Sequence, residues 1–132
     1  MYVGGAGGNV GTAATAMAHR AGARVVAGAR PADHDWCRAA GADIVVDYRD
    51  PDLVALVHDA APAGVDVFWD TSGHHEFDLI ADVVTPRARV LLTAAATSHS
   101  QLPVAQLYTA QSPCTASSSA APLLKTSPPP RP

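Results

Sequence analysis

Three glycines, Gly5, Gly8 and Gly11, stand inside the opening run VGGAGGNVG and limit what this chain can fold into more than any other feature. They follow a short strand start, Tyr2 to Gly4, and open a helical pattern. The spacing G-x-x-G-x-x-G at a strand-to-helix turn has a physical use. The first glycine permits a tight turn, the second lets a pyrophosphate approach the backbone, and the third lets helix and strand pack closely. The helix N-terminal amides then face the phosphates. A lone glycine motif is weak, because a ligand-free connection can look the same. The rest of the chain supplies the context.

Val10, Ala13, Ala14, Met17, Ala18 and Ala21 recur at helical spacing, and Gly22 stops the run. A short buried strand follows around Arg24 to Ala27. Pro31 sits where a second helix begins, with Trp36, Cys37 and Ala40 as apolar contacts and Gly41 as its end. DIVVDY reads as a third strand. Asp50 and Pro51 read as N-cap and first helical residue of a third helix carrying Leu53, Leu56, Val57 and Ala60. GVDVFWD is a fourth strand, Phe77, Ile80, Ala81 and Val84 form a helical face up to Pro86, and ARVLLTAA is a fifth strand. Alternation of this kind calls for a parallel sheet with right-handed helical crossovers. The strands are short runs rich in Val, Leu and Ile with little alternation, as sheets buried on both faces require. The expected class is therefore α/β, a doubly wound parallel sheet.

The chain's 132 residues suit one domain, and a net charge of −3 gives no basic footprint for nucleic acid. The longest uncharged stretch, Met1 to Ala18, is too glycine-broken for a membrane span and lacks the basic start of a signal peptide. Cys37 and Cys114 are far apart and make neither a disulfide framework nor a zinc-ligand spacing. His74 and His75 are adjacent and cannot both face one metal from a helix, so no metal ligand is assigned. Trp36 and Trp69 read as core or sheet-face residues. These features suit a cytoplasmic protein. From Ser112 the sequence SPCTASSSAAPLLKTSPPPRP holds six of the eleven prolines and little periodicity. Residues 1–111 are expected to form the folded domain and 112–132 a disordered tail.

Which nucleotide the turn would hold is read at the end of the second strand. A carboxylate there bonds the ribose hydroxyls of NAD. This chain has Ala27-Gly28-Ala29-Arg30 instead, which also weakens readings as an FAD or S-adenosylmethionine site. Arg30 can pair with a 2′-phosphate, favouring NADP(H) over NAD(H), although Asp33 lies close by and repels a phosphate. The alternative is a surface arginine near a helix start.

Four ordered segments now carry a resemblance: GGAGGNVGTAATAMAHRAGARVVAGAR, GADIVVDYRD, GVDVFWDTSGHHEFDLIADVVTPRARVLLTAA and LPVAQLYT. Over residues 2 to 109 the chain resembles the cofactor-binding Rossmann domain of the medium-chain dehydrogenase/reductase superfamily. Within it, the zinc-independent quinone oxidoreductases, a zinc-binding dehydrogenase-type branch, look most similar. The resemblance implies that Gly5, Gly8 and Gly11, with the amides near Asn9 and Val10, hold the pyrophosphate. It implies that Arg30 and Tyr48 border the adenosine 2′-phosphate. Asp70, Thr71, Ser72 and Gly73 would meet the cofactor ribose, and Thr93 and Ala94 the nicotinamide side. Asn9 replaces a frequent glycine, and Asp33 stands where many members carry Lys, which bears on the NADP preference. Tyr48 alone reads equally as a strand-end aromatic, and Asp70 to Gly73 also suits a plain turn.

The resemblance also implies a catalytic domain N-terminal to this segment and a tendency to homo-oligomers. Met1 falls in the first strand, so the chain reads as a fragment whose catalytic domain is missing or separately encoded. No side chain is assigned as catalytic. After LYT the family continues with a sixth strand, GFVIS, where this sequence has Ala116-Ser117-Ser118-Ser119-Ala120. Serine and alanine codons read one base earlier can give Gly-Phe-Val-Ile-Ser. A frameshift near Thr109 to Pro113 and loss of the sixth strand are therefore expected, leaving five. The functional expectation is an NADPH-binding domain of an oxidoreductase that passes hydride to a quinone or conjugated carbonyl, incomplete alone. The alternatives are a stand-alone nucleotide-binding module and a non-functional remnant.

Overall fold

The computed structural model describes residues 1–93, Gln101 and the backbone of 114–116. The elements run β1 (Tyr2–Gly4), α1 (Asn9–Arg20), β2 (Val26–Ala29), a 3-10 turn (Pro31–Asp33), α2 (His34–Ala39), β3 (Ile44–Asp47), α3 (Leu53–Ala60), β4 (Val65–Asp70), α4 (Phe77–Val83), β5 (Val84–Leu92) and β6 (Cys114–Ala116). The sheet order is β3-β2-β1-β4-β5-β6, and every pairing is parallel.

This is the doubly wound Rossmann arrangement. Alternate residues of the central strands feed two separate cores, because successive side chains leave a strand on opposite faces. Tyr2, Val26, Val46 and Phe68 join Leu53, Val57 and Ile80 of α3 and α4 on one face. Val3, Val25 and Ala27 join Ala14 and Ala18 of α1 and Cys37 of α2 on the other. The second core is rich in alanine, and those short side chains leave room for close packing of helix on sheet. Each fully buried Val or Ile contributes about 1.5–3 kcal/mol of apolar transfer.

Several boundaries differ from the sequence reading. The second strand is Val26–Ala29, displaced toward the glycine-turn edge from the expected Arg24 to Ala27. Its register explains this: Val26 pairs with Tyr2 and Gly28 with Gly4. Pro31 opens a 3-10 turn, and α2 starts at His34. The third helix starts at Leu53, after the expected Asp50 and Pro51. There the Asp50 carboxylate accepts the Asp52 N–H at 2.9 Å, a local turn that competes with helix. The fourth helix ends at Val83, and Val84 already belongs to β5. The β-branched pair Val84 and Thr85 favours extended backbone, and Pro86 cannot continue a helix.

The expected loss of the sixth strand is corrected. Cys114–Ala116 pairs parallel with β5, Val90 opposite Cys114 and Leu92 opposite Ala116. Strand pairing is made by backbone groups, so three residues suffice where β5 offers its edge. This strand also falls inside the segment expected to be disordered. The remainder of that segment, the region Thr109 to Pro113, and LPVAQLYT lie outside the described residues.

Candidate nucleotide site

A cleft of about 570 Å³ opens where the strand order reverses. The chain steps outward from β1 to β2 and β3, then returns to place β4 on the other side of β1. Ligands of open α/β sheets bind at such switch points, outside the carboxyl ends of the strands. The cleft lining follows that rule. It takes Gly4, Gly5, Gly7 and Gly8 from the end of β1 onward, Ala29, Arg30 and Asp33 from the end of β2, Tyr48 and Arg49 after β3, and Asp70, Thr71 and Ser72 from the end of β4.

The glycine turn is built by close approaches. Gly5 has a φ of 71°, the left-handed region, and a Cβ on it would lie 3.0 Å from the Ser72 backbone. A Cβ on Gly11 would strike the carbonyl oxygen of Gly5 and lie 2.7 Å from the Cα of Ala6. The turn is closed by the Gly8 N–H donating to the Gly5 carbonyl at 3.0 Å, and by the Thr12 hydroxyl donating to the Ala6 carbonyl at 3.1 Å. The Asn9, Val10 and Gly11 amides open α1 and have no acceptor within it. They form the donor-rich end of the helix next to the bare backbone of Gly7 and Gly8, an arrangement that suits an anion.

The β4 end is tied to the same turn. The Thr71 N–H and hydroxyl both donate to the Gly4 carbonyl, at 3.0 and 2.8 Å. The Asp70 carboxylate is 3% exposed and both oxygens are engaged, one by the Ser72 N–H at 2.8 Å, the other by Nδ1 of His75 at 2.6 Å. Asp70 therefore shapes the loop from 70 to 76. Gly73 sits in this loop with a φ of 78°. Thr93 follows β5; its hydroxyl accepts the Trp69 indole N–H at 3.0 Å, and its N–H donates to the Asp70 carbonyl at 2.9 Å. Ala94 lies outside the described residues. Asn9, Val10, Gly11, Gly73 and Thr93 do not line the cleft wall.

On the β2 side of the cleft, Arg30 pairs through Nε with Oδ2 of Asp33 at 2.8 Å. The hydrogen bond and charge of Asp33 raise the Arg30 pKa. Tyr48 is 38% exposed, and the Arg49 guanidinium carbon stands 5.3 Å from the centre of its ring. The cleft floor includes Tyr2, stacked on Phe68 with ring centres 4.7 Å apart. Burial first, then the charges of Asp70 and Glu76, push the Tyr2 hydroxyl pKa up.

Of the residues singled out from the sequence, Gly5, Gly8, Arg30, Tyr48, Asp70, Thr71 and Ser72 line this one cavity. It missed Arg49 as a second cation there, although YRD carried it next to Tyr48. It also missed the His75–Asp70 pair, for which no helical or strand spacing gave a signal. Trp36 was expected in a core or on a sheet face; it is 62% exposed on α2, its indole N–H donating to Thr12 at 2.9 Å. Indole carries its own polar handle, which lets it lie on the surface.

The family model described as zinc-binding dehydrogenase matches residues 9–121. The chain belongs to the zinc-binding dehydrogenase family. A zinc-type alcohol dehydrogenase-like protein of Schizosaccharomyces pombe is 34% identical over 73 residues, covering 55% of this chain and 21% of that protein. A solved NAD-dependent alcohol dehydrogenase is 28% identical with a TM-score of 0.80, covering 89% of this chain and 35% of that one. A mycobacterial quinone oxidoreductase is 25% identical with a TM-score of 0.77, covering 89% of this chain and 37% of that one. This zinc-binding dehydrogenase domain thus spans well under half the length of these relatives. Such neighbours agree with the resemblance to medium-chain dehydrogenases/reductases and with a dehydrogenase's nicotinamide dinucleotide. Among the described residues no three His, Cys, Asp or Glu groups converge to hold a metal, so the zinc of the family's description has no donor set there. No described helix is long and apolar enough to cross a membrane.

Proposed function

We propose that the cleft binds a nicotinamide dinucleotide, NADP(H) in preference to NAD(H), and that the chain is the cofactor half of an oxidoreductase acting on a quinone or conjugated carbonyl. One observation carries the first part. The bare glycine turn that leads into α1, the ends of β2 and β3 and the β4 end meet in a single cleft at the switch point of the sheet. The quinone or carbonyl substrate is drawn from the sequence resemblance and from the quinone oxidoreductase among the neighbours.

On this reading the bound nicotinamide supplies the hydride. The chain's own residues bind and orient. Gly5, Gly7 and Gly8 present a backbone without side chains to the pyrophosphate, and the Asn9, Val10 and Gly11 amides offset its charge. Asp70 holds Ser72 in place, so Thr71 and Ser72 present a fixed wall to the ribose, with Gly73 and Thr93 beyond it toward the nicotinamide. Arg30, Arg49 and Tyr48 take the adenosine end. Two guanidinium groups there favour a 2′-phosphate, since Arg–phosphate hydrogen bonds are charge-assisted. Groups that handle the substrate are assigned to a second domain, outside these residues.

The test is a titration of the chain with NADPH and NADH by calorimetry. Arg49→Ala is expected to weaken NADPH about tenfold, the loss of one charge-assisted contact, and to change NADH much less. Absence of binding by either dinucleotide to the folded chain overturns the reading.

A further inference from the structure

We infer that the hydroxyl of Tyr2 is a contact for the base of the bound dinucleotide, donating a hydrogen bond to a ring nitrogen of the purine from the floor of the cleft. The inference rests on the nicotinamide reading and adds to it a residue that ties affinity to the base.

Tyr2 lies on β1, where it pairs with Val26 of β2 on one side and Phe68 of β4 on the other. Its ring stacks on that of Phe68, and its hydroxyl stands over Gly28, two residues further along β2 than Val26. The side chain therefore leans along the strands toward their carboxyl ends, where the cleft opens. A Cβ on Gly28 would strike that hydroxyl, so the bare glycine and the long phenol fit as a pair.

The residue is 2% exposed, yet it lines the cleft. Among the described residues its hydroxyl has no hydrogen-bond partner. Asp70 and Glu76 act on it through charge alone, and the Asp70 oxygens are taken up by the Ser72 N–H and by His75. Burial first, then those two charges, keep the proton on the phenol, so it stays a donor. A buried hydroxyl left without a partner is costly, because water no longer solvates it. An acceptor on a ligand above the floor removes that cost.

The surroundings suit a flat base. Leu53, Phe68 and Leu79 bring apolar surface to the cleft on the same face of the sheet as Tyr2. Such a slot takes the faces of a purine, and a single donor at its floor meets the edge, where ring nitrogens accept. Ligand pockets of this kind are mostly apolar, with a few polar groups that fix orientation.

The probes are 5′-AMP, which carries the base, and inorganic pyrophosphate, which can occupy the glycine turn without one. Both are titrated into the whole chain and into Tyr2→Phe, which keeps the ring and its stacking but removes the hydroxyl; a melt at neutral pH checks that the variant folds. The expected result is 5′-AMP binding about fivefold weaker in the variant, the loss of one neutral hydrogen bond, with pyrophosphate unchanged. Equal affinity of both proteins for 5′-AMP overturns the role of Tyr2. An equal loss for both probes overturns it too, because that marks a structural effect. A second measurement needs no variant: in the wild-type chain 5′-AMP should shift the NMR resonances of the Tyr2 ring and pyrophosphate should not, and resonances unmoved by bound 5′-AMP contradict the contact. If neither 5′-AMP nor NADPH binds the folded wild-type chain, the nicotinamide reading itself falls.

Discussion

Gly11 has no room for a side chain, because a Cβ there meets the Gly5 carbonyl oxygen. Gly11→Ala should therefore force backbone shifts costing about 1–3 kcal/mol, read from urea unfolding midpoints; an unchanged midpoint contradicts the packing described. Tyr2 makes a second prediction at this scale. Its hydroxyl pKa is raised from 10.0 by burial and by Asp70 and Glu76. The folded state resists losing that proton, so Tyr2 contributes stability fully present below pH 10 that is lost as pH rises toward the folded value. Tyr2→Phe should flatten the fall in melting temperature above pH 10, and equal slopes for both proteins would argue against it. What could be read at single residues follows from these cases. Gly5 and Gly11 were legible because a steric requirement fixes them at a set spacing; Gly8, where a Cβ would lie 3.4 Å from the Gly5 carbonyl oxygen, was legible only from the repeat of that spacing. Arg49 and His75 were not, because their partners depend on how two loops lie in space. Asp33 was legible as a charge near Arg30, but that its carboxylate lies against the backbone of Gly7 was not.

Helices and strands were legible wherever an apolar period ran unbroken, as in α1, α3 and β4. Errors gathered at their ends, where local hydrogen bonds such as Asp50 with Asp52 outweigh periodicity. The entry to β5 is the clearest case. Val65 pairs with Val84 but Val67 with Arg89, so extra residues bulge from β5 around Pro86. Arg87 there has a φ of 67°, a conformation that suits glycine. Arg87→Gly should relieve that strain and raise stability by up to about 1 kcal/mol, less the entropy glycine loses on folding. A lower melting temperature in the variant would show that the bulge is held by the arginine itself. The sixth strand was illegible for a different reason. Its three residues, Cys114–Ala116, carry little strand signal of their own and depend on the ladder offered by β5.

At the scale of the molecule, the strand order brings four segments, distant in sequence, to one edge of the sheet. That order makes the cleft; the alternation of elements already implied the doubly wound parallel sheet, and the pairing of the strands adds the order. Membership in the zinc-binding dehydrogenase family fits the same architecture. The central claim is that this edge binds a nicotinamide dinucleotide with a modest preference for the 2′-phosphate. The most direct measurement is a thermal melt of the chain alone, with NADPH and with NADH. A ligand that binds only the folded state stabilises it by about 2.7 kcal/mol at a hundredfold excess over its dissociation constant. The account predicts a cooperative melt that rises with both dinucleotides, and further with NADPH. A cooperative melt unmoved by either would contradict it.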